Sequence, residues 1–279
     1  MSKKILITGG SRGIGKATAI AFLKNGDEVL ILSRDEQELK DAKKELSAFG
    51  KVETAVGDVS KEADVQRVRE WIESKWGSVD VLVNAAGIYG PIGPVETLDL
   101  NEWKKVIDVN LTGTFLMTKH VVTMMKKAGR GKIVNFVGGG EGAFPSFSGY
   151  VSSKGAITRF NETVAAELQP FNIQVNAIFP GAVNTKFLDE ALAAGPEKTG
   201  KENYEKFLKQ KEVGGVPPER AADLILFLAS EAADGITGKI ISAVWDNYPQ
   251  LPKHLEELKK SDVYTMRRVK PEHRGLDFS

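Results

Sequence analysis

Short apolar runs alternate along this chain with longer stretches in which apolar positions recur every three or four residues. The runs fall at Ile5 to Ile7, Val29 to Leu32, Val52 to Val56, Val79 to Val83, Lys132 to Val137, Ile173 to Phe179 and Lys239 to Val244. Enough chain separates each from the next for a crossover helix, which predicts seven parallel strands joined by right-handed connections. The runs are apolar on both faces, so the sheet they form must be covered by helices on each side. The expected fold class is α/β, a doubly wound parallel sheet, with residues 1–244 as one domain. Two segments break the rhythm. The Gly- and Lys-rich stretch from Asn184 to Gly215 reads as a mobile loop. Residues 245–279 read as a C-terminal extension too short for its own core, packing on the domain or on a neighbouring subunit.

The first run leads into Thr8-Gly9-Gly10-Ser11-Arg12-Gly13-Ile14-Gly15 and then into a helix-forming stretch from Lys16 to Leu23. Glycines there let the backbone turn tightly and approach a pyrophosphate, while a helix N-terminus supplies unpaired N–H groups and the positive end of its dipole. A strand, this turn and a helix in succession predict a Rossmann-type dinucleotide site. The second strand ends in Leu32-Ser33-Arg34, with no carboxylate where a ribose 2′-hydroxyl is usually held. Arg34 and Arg12 are instead suited to a 2′-phosphate, through charge-assisted hydrogen bonds. NADP(H) is therefore favoured over NAD(H).

Composition narrows the partners. Among 279 residues, 38 Lys and Arg against 37 Asp and Glu leave a formal net charge of +1, which offers no field for nucleic acid or an anionic membrane. There is no cysteine, and the three histidines, at 120, 254 and 273, lack ligand spacing, so neither a disulfide nor a metal centre is expected. The apolar run near the N-terminus is too short for a secretion signal, and no stretch reaches the length of a membrane span. A cytoplasmic protein with a small-molecule substrate, assembled as a homodimer or homotetramer, is the expectation.

Candidate chemistry lies in Tyr150-Val151-Ser152-Ser153-Lys154. On a helix, positions four apart share a face, so the phenol and the ammonium project into one cleft. A free phenol has a pKa of about 10. A fixed cation nearby favours the phenolate and moves the group toward acid and base work near neutrality.

Taken in order, the glycine turn at Thr8 to Gly15, Asp58-Val59 after the third strand, Asn84-Ala85-Ala86-Gly87 after the fourth, Asn110, the Tyr150/Lys154 pair and Pro180-Gly181 resemble the short-chain dehydrogenase/reductase family in its compact single-domain form, over residues 3 to 244. The resemblance implies roles. Gly9, Ser11, Arg12, Gly13, Ile14 and Gly15 would cradle the dinucleotide, with Ser33 and Arg34 at its adenosine ribose. Asp58, beside Val59, would meet the adenine amino group, and Asn84, Ala85 and Gly87 would stabilise the sheet and line the cofactor. Pro180, Gly181, Val183 and Thr185 would hold the nicotinamide carboxamide. Lys154 would bind the nicotinamide ribose and lower the pKa of Tyr150, which donates a proton as hydride reaches the carbonyl carbon. Asn110 would kink its helix and hold a water that links the lysine to solvent.

One departure is plain. The family places a serine about a dozen residues before the tyrosine, to hydrogen-bond the substrate carbonyl, and here Val137, Gly138 or Gly139 occupies every plausible register. Three outcomes stay open: backbone N–H groups of the glycine run act as the donors, Ser146 or Ser148 turns inward, or the chain is an NADP(H)-binding regulatory or scaffold protein with weak or lost catalysis. Substrate contacts are expected from Gly138, Gly139, Glu141 and Ser148; a cap formed by Arg267, Arg268 or Arg274 is the alternative to the extension's packing role, which is favoured because Arg is enriched at interfaces. Glu141 in a polar loop suggests a polyol-like substrate, and Trp103 and Trp245 read as packing residues. The expected activity is NADP(H)-dependent interconversion of a carbonyl and a secondary alcohol on a small metabolite.

Overall fold

The structure, a computed structural model, describes residues 2–139 and 142–277. In chain order it runs β1 (Lys4–Thr8), α1 (Gly13–Lys24), β2 (Glu28–Ser33), α2 (Glu36–Leu46), β3 (Val52–Val56), α3 (Glu62–Lys75), β4 (Val81–Asn84), α4 (Leu100–Ile107), α5 (Gly113–Ala128), β5 (Gly131–Phe136), α6 (Ser148–Leu168), β6 (Ile173–Phe179), α7 (Lys186–Thr199), α8 (Lys201–Val213), α9 (Pro218–Leu228), β7 (Ile240–Ser242) and α10 (Leu255–Lys260). The seven strands form one sheet in the order β3-β2-β1-β4-β5-β6-β7, all parallel. This is the Rossmann-type α/β fold expected from the apolar rhythm.

Side chains alternate along each strand, so each face receives its own set. Ile5, Ile7, Val29 and Ile31 pack with Phe22, Leu39 and Leu224 of α1, α2 and α9. Leu6, Leu30 and Leu82 meet Val68, Met117 and Leu168 of α3, α5 and α6 on the other side. β1 is hydrogen-bonded to β2 on one edge and β4 on the other, so the chain winds outward in both directions from it. The helices leaving β1 and β4 diverge to opposite faces, which opens a crevice at the strands' C-terminal ends.

Inside the sheet, three buried asparagines form a ladder. Asn84 Nδ2 donates to Asn135 Oδ1 at 2.9 Å, Asn135 Nδ2 to Asn161 Oδ1 at 3.1 Å, and Asn161 Nδ2 to the Lys239 carbonyl at 3.5 Å. The ladder ties α6 to the strands beneath it through side chains as well as through apolar packing.

The segment from Asn184 to Gly215 is not a loop: it folds as α7 and α8. Gly195, at φ 79°, breaks α7 near its end, and Gly200, at φ 83°, separates the pair. These glycines are turn residues inside a helical hairpin, which is why the composition resembled that of a loop. The extension also has a definite place. Leu251 and Leu258 are buried in the core, and Tyr248 packs on Phe227 of α9 with ring centroids 5.3 Å apart. Lys239 Nζ donates to the carbonyls of Ser261 and Val263, and Glu162 of α6 accepts from the Met266 N–H and from Arg267.

If the extension is a built part of the core, Leu258→Ala should lower unfolding free energy by about 2–4 kcal/mol. Denaturant unfolding checks it, and a change under about 0.5 kcal/mol would instead mark a surface appendage.

Candidate active site

At the C-terminal ends of β1 and β4 lies a cavity of about 730 Å³. One end is walled by Gly9, Ser11, Arg12, Gly13, Ile14 and Gly15. Gly9 has φ +66°, and a Cβ on Gly15 would run into the Gly9 carbonyl, so only this pair of residues lets the turn close so tightly under α1. The cradle is the size of bare backbone, and the first N–H groups of α1 open onto it, which fits a dinucleotide pyrophosphate.

The adenosine end holds a surprise. Ser33 and Arg34 line the cavity as expected, and Glu38, from the first turn of α2, does not line it but reaches back to two residues that do, Ser11 and Arg12. It accepts from Ser11 Oγ at 3.2 Å and pairs with Arg12 at 2.6 Å. Absence of an acidic residue at the end of β2 therefore does not mean absence of a carboxylate at the site. Asp58 accepts from the N–H and Oγ of Ser60 and stands 3.8 Å from Arg34, and it does not line the cavity, although Val59 does. Ala85 and Gly87 also line it, whereas Asn84 is buried in its ladder beneath. Pro180, Gly181, Val183 and Thr185 also line the cavity, with the Thr185 side chain close to Gly13.

Tyr150 and Lys154 sit on α6, whose inward stripe is Tyr150, Ser153, Lys154, Ile157, Thr158, Asn161, Ala165 and Leu168, a three-and-four spacing that mixes polar and apolar groups. Gly149 allows the first turn to pack: a Cβ there would lie 3.1 Å from Trp103. Lys154 is 5% exposed and donates to the Phe136 carbonyl at 2.9 Å. Burial lowers its pKa to about 8. Tyr150 behaves opposite to the expectation from its spacing. Its pKa is pushed up, first by burial and then by the neighbouring Tyr89, because the desolvation of the phenolate outweighs a lysine that is itself desolvated and turned to a carbonyl.

Asn110 is 0% exposed and does not face the cavity. It lies in a π-helical turn, Asp108–Thr112, between α4 and α5. Its amide clamps Ile88 at both backbone atoms, accepting from the N–H at 2.9 Å and donating to the carbonyl at 3.0 Å, and donates to Ser153 Oγ at 2.9 Å. Ser153 Oγ donates in turn to the Tyr150 carbonyl. Asn110 thus joins the loop after β4 to the turn of α6 that carries Tyr150. Ser153 escapes sequence reading because a serine within a helix has no signature of its own.

The two glycines among the three candidate registers differ in direction. Of the three registers, Gly138 is the one whose Cβ would point at the phenol, 2.5 Å from Tyr150 Oη; a Cβ on Gly139 would meet Val151 instead. Tyr150 leans into space that a side chain at 138 would occupy. Both Gly138 and Gly139 line the cavity, and Glu141 lies outside the described residues. Neither Ser146 nor Ser148 turns inward: Ser148 Oγ is buried without a partner away from the cavity, and Ser146 faces Gly200. Arg267, Arg268 and Arg274 do not line the cavity either.

Sequence reading also missed the aromatic end. Tyr89, Phe144, Phe187 and Phe207 line it, and the Tyr89 ring stands perpendicular to that of Tyr150 with centroids 4.7 Å apart. Burial pushes the Tyr89 phenol up to about 12. Trp245 is no packing residue. It is 76% exposed at the cavity's edge.

Residues 3–194 match the family model described as short chain dehydrogenase. Solved structures agree in shape. A xylitol dehydrogenase with NAD⁺ bound is similar at TM-score 0.78 and 26% identity, covering 86% of this chain and 96% of that one. A levodione reductase is similar at TM-score 0.79 and 28% identity, covering 90% and 98%.

The buried lysine has a stability consequence. Below pH 8 both native and unfolded chains keep the Lys154 proton, and the penalty for burying the charge is complete. Between about 8 and 10 the native protein releases a proton that the unfolded chain retains, so stability rises with pH. Lys154→Met should therefore lose ground to wild type by on the order of 1 kcal/mol per pH unit across that window, measured by denaturant unfolding at pH 7 to 9.5. A constant difference would mean that Lys154 does not titrate there.

Proposed function

Since the chain belongs to the short chain dehydrogenase family, oxidoreductases acting on CH–OH groups, we propose that it interconverts a carbonyl and a secondary alcohol on a small molecule with NADP(H), and that Tyr150 is the proton donor and acceptor. One observation carries the reading: Tyr150 and Lys154 project from α6 into the same cavity whose far end is the bare-backbone cradle of Gly9 to Gly15. A bound nicotinamide dinucleotide supplies the hydride for the carbonyl carbon in reduction and accepts it in oxidation.

The protein's own groups have definite tasks. Tyr150, held protonated by its buried surroundings, delivers its proton to the carbonyl oxygen, so the electrostatics favour reduction. Lys154 is placed for the nicotinamide ribose and, when charged, steadies the phenolate left behind. Asn110 acts as a positioning residue through Ser153 and Ile88. With Gly138 in place of a serine, the carbonyl is oriented by Tyr150 and by the shape of the cavity. Arg34 and Arg12 support the choice of NADP(H), the 2′-phosphate taking Arg12 from Glu38. NAD(H) is the competing reading, because Glu38 is also able to accept from a ribose hydroxyl. Among the described residues no helix is long and apolar enough to cross a membrane.

Oxidation of NADPH by a panel of carbonyl compounds tests the chemistry. Tyr150→Phe should lower kcat by about 10²- to 10⁴-fold while dinucleotide affinity holds; tight binding without Tyr150-dependent turnover of any carbonyl would favour a regulatory protein. Gly138→Ser should not rescue but impair turnover, about tenfold or more, because the new side chain displaces the phenol. A gain in kcat would contradict the packing argument. Arg12→Ala should cut the ratio of NADPH to NADH affinity by roughly tenfold. An unchanged ratio in calorimetric titrations would remove the basis for NADP(H).

A further inference from the structure

We infer that the substrate is a carbonyl compound built on a flat apolar ring, held in an aromatic cup beside Tyr150, and not a polyol; the inference rests on the carbonyl chemistry proposed above. The cup is continuous. Tyr89 stands edge-on to Tyr150 and lies 4.6 Å from Phe187, tilted by 35°. Behind them Phe147, fully buried, stacks on Phe144 at 4.3 Å and 6°, and Phe207 meets Phe144 edge-on at 6.2 Å. The rings come from the loops after β4 and β5 and from α7 and α8, so four separate segments converge on one surface that faces the cavity. Rings in tilted and perpendicular pairs present both faces and edges, which is the surface that a flat ring fills best.

Hydrogen-bonding capacity at this end points the same way. A polyol needs a partner for each hydroxyl it takes out of water. The polar side chains at the rim already have partners: Asn203 donates to the Pro145 carbonyl, Lys206 to Glu202, and Gln210 to Asn184. Among the described residues of the cup, the phenols of Tyr89 and Tyr150 are the hydroxyls left without a hydrogen bond, and both open onto the cavity. Two donors suit one carbonyl oxygen and not a row of hydroxyls. Gly138 adds nothing polar, since its side-chain space is taken by the phenol.

Binding separates this inference from the catalytic one. With the oxidised dinucleotide present, so that no ketone is reduced, 1-tetralone and L-erythrulose are titrated by calorimetry. Tetralone should bind saturably and erythrulose at least about tenfold more weakly. Phe144→Ala and Phe207→Ala should each weaken tetralone about fivefold while dinucleotide affinity is retained. Equal or tighter binding of erythrulose, or tetralone binding indifferent to both substitutions, would overturn the inference. Tetralone bound in the cup without Tyr150-dependent reduction of any ketone would sink the catalytic reading and leave this one standing; Tyr150-dependent turnover of erythrulose alone would do the reverse.

Discussion

A helix that turns a lysine, a tyrosine, a serine and an asparagine toward the interior is tolerable only if nearly every polar atom on it is answered, and the site depends on how α6 meets that demand. Lys154 finds the carbonyl of Phe136 at the end of β5, Ser153 finds Asn110, and Asn161 finds Asn135. Two of these partners lie on β5 and the third in the π-helical turn that clamps Ile88, so satisfying the helix also fixes the loop after β4 and that turn against it. The exception is informative. Apart from Ser148 Oγ, buried at the start of the helix away from the cavity, Tyr150 Oη is the group of α6's inward face with no partner among the described residues, and it opens onto the cavity where a ligand would sit.

What the sequence disclosed was short in range. The glycine turn needs a strand before it and a helix after it, all within about twenty residues, and Tyr150 and Lys154 need only one helical turn. The sheet was legible for the same reason, since an apolar run marks a strand wherever it lies. Contacts between distant segments were not. Glu38 joins Ser11 and Arg12 across 27 and 26 residues of chain, and no local pattern announces that α2 will return to the glycine turn. The aromatic cup draws on positions from Tyr89 to Phe207, each unremarkable in its own stretch. Segment composition misled as well, because the glycines between Asn184 and Gly215 end helices there instead of loosening a loop.

Electrostatics gave a different correction. Spacing alone says that a cation beside a phenol lowers its pKa, but spacing carries no information about solvent. In this cavity the same burial that raises Tyr150 lowers Lys154, so each group is moved toward its neutral form and the attraction between charges is weakened from both ends. Near neutral pH Lys154 still keeps its proton, but its Nζ is turned to the Phe136 carbonyl, which leaves burial to decide the direction for Tyr150.

Glycine at position 138 fits this dry environment. A Cβ at position 138 would lie 2.5 Å from Tyr150 Oη, so any side chain there would have to displace the phenol at a cost in packing. Glycine avoids that cost and lets Tyr150 move into the vacated space, where Val151 and Phe147 already crowd the other sides. The cavity becomes more apolar around its single most important hydroxyl, and an interaction between that hydroxyl and a carbonyl oxygen gains strength as water is excluded. Glycine at 138, the aromatic cup and the raised phenol pKa are then three expressions of one environment, a dry pocket in which apolar shape surrounds the unpaired phenols of Tyr89 and Tyr150.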